Sequence, residues 1–136
     1  MTDSPRARFD YGTARGWARL GLLYAQGGVW QGERLLPEGF AQFAGSVAPA
    51  WSEPVYGGLF WVNGTSKFHL PTSAFWAQGA GGQYTIVDTA NDLVVVRMGH
   101  QIGALEGTDV TSLNGALRLL PGVIRGFVAP SATPSL

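Results

Sequence analysis

The chain has no cysteine and a single lysine, Lys67. Without cysteine there is no disulfide framework, no thiolate ligand and no thiol nucleophile. Charge is sparse and balanced, nine Lys and Arg against nine Asp and Glu for a net charge of zero. That leaves no electrostatic footprint for nucleic acid or an acidic membrane. The apolar run Leu93-Val94-Val95-Val96 stops at Arg97, and no stretch is long and apolar enough to span a bilayer. Met1 to Arg6 has no apolar core behind it, so no secretory signal is read and a cytoplasmic location is expected. The two histidines, His69 and His100, lack the spacing of a zinc site. Neither a metal nor any other cofactor is expected.

What the chain does have is a 46% apolar fraction, five tryptophans and 20 glycines in 136 residues. This is one packed domain's worth of sequence. The densest glycine cluster, Gly79-Ala80-Gly81-Gly82-Gln83, lies between two strand-like segments. Glycine there lets the backbone approach either a neighbouring strand or a substrate without interference from a Cβ.

In chain order, residues 1–12 are polar, basic and proline-containing, and form a lead-in. A helix is expected from Ala14 to Gln26 with Thr13 as its N-cap. Trp17, Leu20, Gly21 and Tyr24 share one side of it, Arg15 and Arg19 the other. Gly27-Gly28 supplies a left-handed stop. Val29 to Leu36 turns tightly at Gln31-Gly32, and Pro37 opens a short helix to Ala44. Gly45 to Pro54 is a loop. From Tyr56 the period changes to two: Tyr56–Val62 is a strand ending at the turn-forming Asn63-Gly64. Phe75–Gly79 is a second strand, and Gln83–Asp88 with Leu93–Met98 makes a hairpin across Thr89-Ala90-Asn91. The last of these is β-branched on both faces, as in an interior strand covered on both sides. Val110, Leu113, Leu117 and Leu120 recur at helical spacing up to Pro121-Gly122, and residues 129–136 form a polar tail. The order predicts an α+β domain over 13–128, an antiparallel sheet of about four strands flanked by helices.

Several of these stretches resemble the C-terminal part of the serine β-lactamase-related family, which includes class C β-lactamases, DD-peptidases, family VIII esterases and 6-aminohexanoate-dimer hydrolases. Thr13-Ala14-Arg15-Gly16-Trp17-Ala18-Arg19-Leu20-Gly21 is similar to the family's T-A-R-D-x-A-R-F-G helix, with Gly16 in place of Asp. Gly27 to Pro37 resembles the G-G-x-W-x-G-x-R-L-L-P arm, and Tyr56 to Val62 the Y-G-x-G-F-W-V strand. Gly79 to Gln83, with Leu93 to Arg97 behind it, resembles the third active-site strand and its hairpin partner.

The resemblance implies a serine acyl-transfer fold, with an S-x-x-K nucleophile, a Y-x-N base and a K-T-G or H-x-G strand that helps form the oxyanion hole. Ala80-Gly81-Gly82 stands at the K-T-G position, and Gln83 at the residue whose N–H completes that hole. Gly79 and Gln83 are the implied substrate contacts; Tyr56 is a further candidate to line the cleft, although an aromatic on a strand more often belongs to the core. Ala80 brings neither the positive charge nor the imidazole that holds a substrate carboxylate in many relatives, so a small amide or ester is implied in place of a penicillin-like substrate. No serine of this chain has Lys three positions later, Ser66 precedes Lys67 directly, and no tyrosine begins Y-x-N. No catalytic residue is therefore assigned, and the chain alone is expected to be inactive. Two partner readings follow: a complementary N-terminal portion bearing the nucleophile, or self-association of a non-catalytic module through uncovered sheet surface. Glycan binding by the tryptophans is a third reading, resting on composition alone.

Overall fold

A computed structural model describes residues 12–99 together with Leu113, Leu117 and Arg118. The expected lead-in up to residue 11, the tail 129–136, and His100, Asp109, Val110, Leu120 and Pro121-Gly122 lie outside the described residues. The elements are α1 (Ala14–Ala25), β1 (Val29–Trp30), β2 (Glu33–Arg34), α2 (Phe40–Ala44), β3 (Trp61–Val62), β4 (Phe75–Gly79), β5 (Gln83–Asp88) and β6 (Leu93–Arg97). The fold is α+β: helices lie against a four-stranded antiparallel sheet ordered β3-β4-β5-β6, and β1-β2 forms a separate two-stranded ribbon.

Helix α1 starts where its cap dictates. Thr13 is extended, and its hydroxyl accepts from the Gly16 N–H at 3.0 Å, satisfying a donor that the first turn leaves orphaned. Gly27 and Gly28 then stop the helix in the left-handed region, at φ +66° and +89°. Only Gly21 of α1 is buried, because that is where the helix touches the sheet. A Cβ on Gly21 would stand 2.6 Å from Val94 Cγ1. Leu20, expected on the same side, is instead 40% exposed.

The sheet buries side chains on both faces. Toward α1, Val62, Phe75 and Val87 pack with Tyr24, Ala25 and Phe60. Tyr24 and Phe75 rings both contact Phe60, at 4.8 and 5.3 Å between centroids. Burial raises the Tyr24 hydroxyl pKa above its usual 10.0 by disfavouring the phenolate. On the opposite face Trp76, Tyr84 and Ile86 pack with Phe68, Leu113 and Leu117. Leu113 and Leu117 are helical and buried, at the expected helical spacing. Each such side chain withdrawn from water contributes about 1.5–3 kcal/mol before conformational entropy is charged against it.

Three expectations are corrected here. The strand buried on both faces is β5, whereas β6 is half-buried throughout and ends the strand order among the described residues. Tyr56–Val62 is not one strand: only Trp61–Val62 is, joined to Tyr56 by an isolated bridge. The reason lies in Gly57 and Gly58, which press against α2. A Cβ on Gly57 would meet the carbonyl oxygens of Ser46 and Ala44 at 2.4 and 2.5 Å, so the chain turns there and Leu59 is left at φ +75°. Finally, α2 begins at Phe40 and not Pro37, since Gly39 at φ +77° breaks the helical path. Pro37 instead closes a turn through its carbonyl, which accepts from the Phe40 N–H.

Candidate functional site

The β4–β5 hairpin presents the glycine cluster at one end of the sheet. Gly79 pairs with Gln83, and Ala80, Gly81 and Gly82 make the three-residue connection. Gly81 and Gly82 have φ +77° and +82°, the left-handed conformation that only glycine adopts without strain. Gly79, Ala80 and Gly81 are exposed, whereas Gly82 is buried.

Two side chains, Arg97 of β6 and Gln83 of β5, tie the connection to β6 and the residues after it. Tyr84 is opposite Arg97 in the β5–β6 register, so the Arg97 guanidinium reaches back and donates from Nη1 to the Gly82 carbonyl. The Gln83 amide forms a two-point clasp with Gly99, donating through Nε2 to its carbonyl and accepting its N–H on Oε1 at 3.1 Å. In the same register Asp88 is opposite Leu93, at the far end of the hairpin from Arg97. Asp88 accepts from Asn91, at 2.7 Å from its side-chain amide, and caps the β5–β6 turn. The braces Arg97 and Gly99 were not foreseen as part of the site. The hairpin register would have revealed them, since it carries Arg97 to the glycine end.

Of the expected substrate contacts, Gly79 and Gln83 lie together. The Gln83 amide is engaged by Gly99, and its backbone is in register with Gly79 at the end of the β4–β5 ladder. Tyr56 lies apart. Its ring packs edge-on against Trp61, 5.1 Å between centroids, and against Trp51 at 5.6 Å. Trp61 pairs with Trp76, three residues short of Gly79 and so about 10 Å away along the strand. The Tyr56–Trp61 rings are inclined at 80° and Trp51–Tyr56 at 49°, so these aromatics share no flat platform for a sugar ring.

A cleft of about 420 Å³ opens at the other end of the sheet, lined in part by Tyr24, Ala41, Ser46, Ser73, Phe75 and Thr89. Phe75 begins β4 and Thr89 follows β5, which puts this cleft roughly 17 Å from the glycine connection. Among the described residues no charged side chain lines it, and Ser46 donates its hydroxyl to the Gln42 carbonyl at 2.6 Å. His69 accepts on Nε2 from Arg118 Nε at 2.6 Å. Among the described residues no three metal-ligating side chains converge, and no helix is long and apolar enough to cross a membrane.

No protein-family model matches this chain, and no curated protein matches it.

Proposed function

We propose that the chain is the oxyanion-side portion of a serine acyl-transfer hydrolase acting on small amides or esters. The observation that carries this reading is the braced glycine connection at Ala80-Gly81-Gly82, found where the resemblance to the serine β-lactamase-related family implies a closing strand. In such a site a backbone N–H aimed at the developing oxyanion supplies much of the rate enhancement, and it works only if it is held in advance. Arg97 on the Gly82 carbonyl and Gln83 on Gly99 are the kind of contacts that hold one. Gly79, Ala80 and Gly81 remain open to a substrate, and Ala80 offers it no charge.

Chemistry requires a nucleophile that these 136 residues do not carry. On this reading the serine, its lysine and the tyrosine base come from a complementary N-terminal portion. The isolated chain should show neither fluorophosphonate labelling nor p-nitrophenyl ester turnover. Serine-dependent turnover by the purified chain would refute the proposal. An in-frame or frameshifted S-x-x-K and Y-x-N in the DNA immediately upstream would support it directly.

A second reading is favoured by the position of β6. Among the described residues it is the last strand in the sheet order, the kind of position through which the same half-fold can serve as a non-catalytic interaction module.

A further inference from the structure

We propose that Asn63-Gly64 is a latent deamidation site that the fold holds shut, so that opening of residues 63–71 is recorded as a one-way conversion of Asn63 to aspartate or isoaspartate. Such a site is independent of the acyl-transfer reading and of the interaction module.

The dipeptide carries the reactivity. Asparagine is among the chemically labile residues, and the residue after it decides how readily it reacts. Glycine has no Cβ to keep its backbone nitrogen away from the preceding side chain. In the reaction the Gly64 nitrogen gives its proton to hydroxide and attacks Cγ of Asn63. The N–Cγ bond forms, the Cγ–Nδ2 bond breaks, and Nδ2 leaves as ammonia with a proton taken from water. Water then opens the resulting succinimide at either carbonyl, which gives aspartate or isoaspartate. No oxidant or reductant takes part.

The closed fold denies the reaction what it needs. Asn63 is fully buried, which keeps hydroxide and water from the reacting atoms. The leaving nitrogen Nδ2 donates to the Phe68 and Leu70 carbonyls, beside that of Pro71, and Oδ1 accepts from the Phe68 N–H. Cγ therefore cannot swing onto the Gly64 nitrogen while the segment is closed. The backbone is pinned as well: the Asn63 N–H donates to the Ala74 carbonyl, and the Asn63 carbonyl accepts from the Ser66 N–H.

Both residues of the labile pair are fixed by the structure. A Cβ on Gly64 would stand 2.3 Å from the Pro54 carbonyl oxygen and 2.6 Å from Pro54 Cβ. Asn63 has to donate and accept at once, which an aspartate cannot do. The same requirement makes the conversion one-way. A carboxylate at this position faces acceptor carbonyls with no donor to offer them, and isoaspartate adds a methylene to the backbone path. Either product unseats Phe68, whose ring contacts Trp76 of β4 and Tyr84 of β5 at 4.9 and 6.0 Å between centroids. The damage thus reaches the strands that carry the glycine connection.

Peptide mapping of the full chain at mildly alkaline pH, in native buffer and in concentrated urea, measures the conversion. The second Asn-Gly pair of the sequence, Asn114-Gly115, is an internal standard in urea, where the two asparagines should react at similar rates. In native buffer Asn63 should react at least about 30-fold more slowly than in urea, since reaction waits for local opening. Phe68→Leu leaves the dipeptide intact and weakens the closed segment, so it should raise the native rate about 3–10-fold, or to the urea rate if the variant does not fold. The converted chain, returned to native buffer, should unfold at lower urea than the unreacted chain. An Asn63 that reacts as fast in native buffer as in urea overturns the proposal, as does one that stays intact in urea while Asn114 converts. So does a Phe68→Leu chain with the wild-type rate, or a converted chain with an unchanged urea midpoint.

Discussion

Asn63 does more than its place before a glycine suggests. Asn-Gly is a turn signal, and a turn does form there, closed by the Ser66 N–H on the Asn63 carbonyl. The side chain is fully buried, however, and its amide is a hub. Nδ2 donates to the carbonyls of Phe68 and Leu70, at 3.1 and 2.9 Å, and lies 3.3 Å from that of Pro71, while Oδ1 accepts from the Phe68 N–H at 3.0 Å. One residue thus satisfies the polar backbone of an irregular segment that has no ladder of its own, and so allows Phe68 to enter the core. Asn63→Ala would orphan several of these groups in a buried place, at a cost of about 3 kcal/mol. Urea denaturation should show the midpoint falling with little change in slope. Asn63→Asp should be at least as damaging, because a carboxylate cannot donate to the three carbonyls.

Among the elements, what could be read in the sequence was whatever local chemistry decides. Thr13 capping α1, Gly27-Gly28 ending it, and the alternating strands of the β4-β5-β6 meander are settled within a few residues of themselves. The misread elements are those decided by a distant neighbour. Gly57 and Gly58 look like strand glycines until α2 is laid against them, and Leu93–Arg97 looks central because its valines are apolar on both faces, although composition does not say how many strands follow. The candidate site divided in the same way. The glycine connection was legible, its bracing by Arg97 and Gly99 needed the register, and the separation of Tyr56 needed the turn at Gly57. Gly21 in α1 tests this division. Alanine there gains about 1 kcal/mol of intrinsic helix preference, but its methyl would stand 2.6 Å from Val94 and 3.2 Å from Thr85. Overpacking at a well-filled contact costs about 1–3 kcal/mol, so the distant contact should win. Gly21→Ala should lower the thermal midpoint, whereas Gly16→Ala, on the exposed side of the same helix, should raise it.

At the scale of the whole molecule, the order of strands in the sheet repeats their order in the chain. β4 and β5 are separated by three residues, and β5 and β6 by four. Helix α1, by contrast, must dock onto strands roughly seventy residues further along. Loop-closure entropy is small for the hairpins and larger for the helix. The consequence concerns time, and not only stability: the meander can form first as the folding nucleus, and α1 can dock onto it afterwards. Val87→Ala, at the centre of the meander, should then slow refolding, while Gly21→Ala should chiefly accelerate unfolding. Stopped-flow chevrons of the two variants would separate these effects, and equal slowing of refolding by both would refute the order. A chain that assembles in this sequence has the apolar face of β5 and β6 formed before its helical cover arrives. The interval between those two events is when contact between molecules through that face, at high concentration, competes most directly with the docking of the chain's own α1.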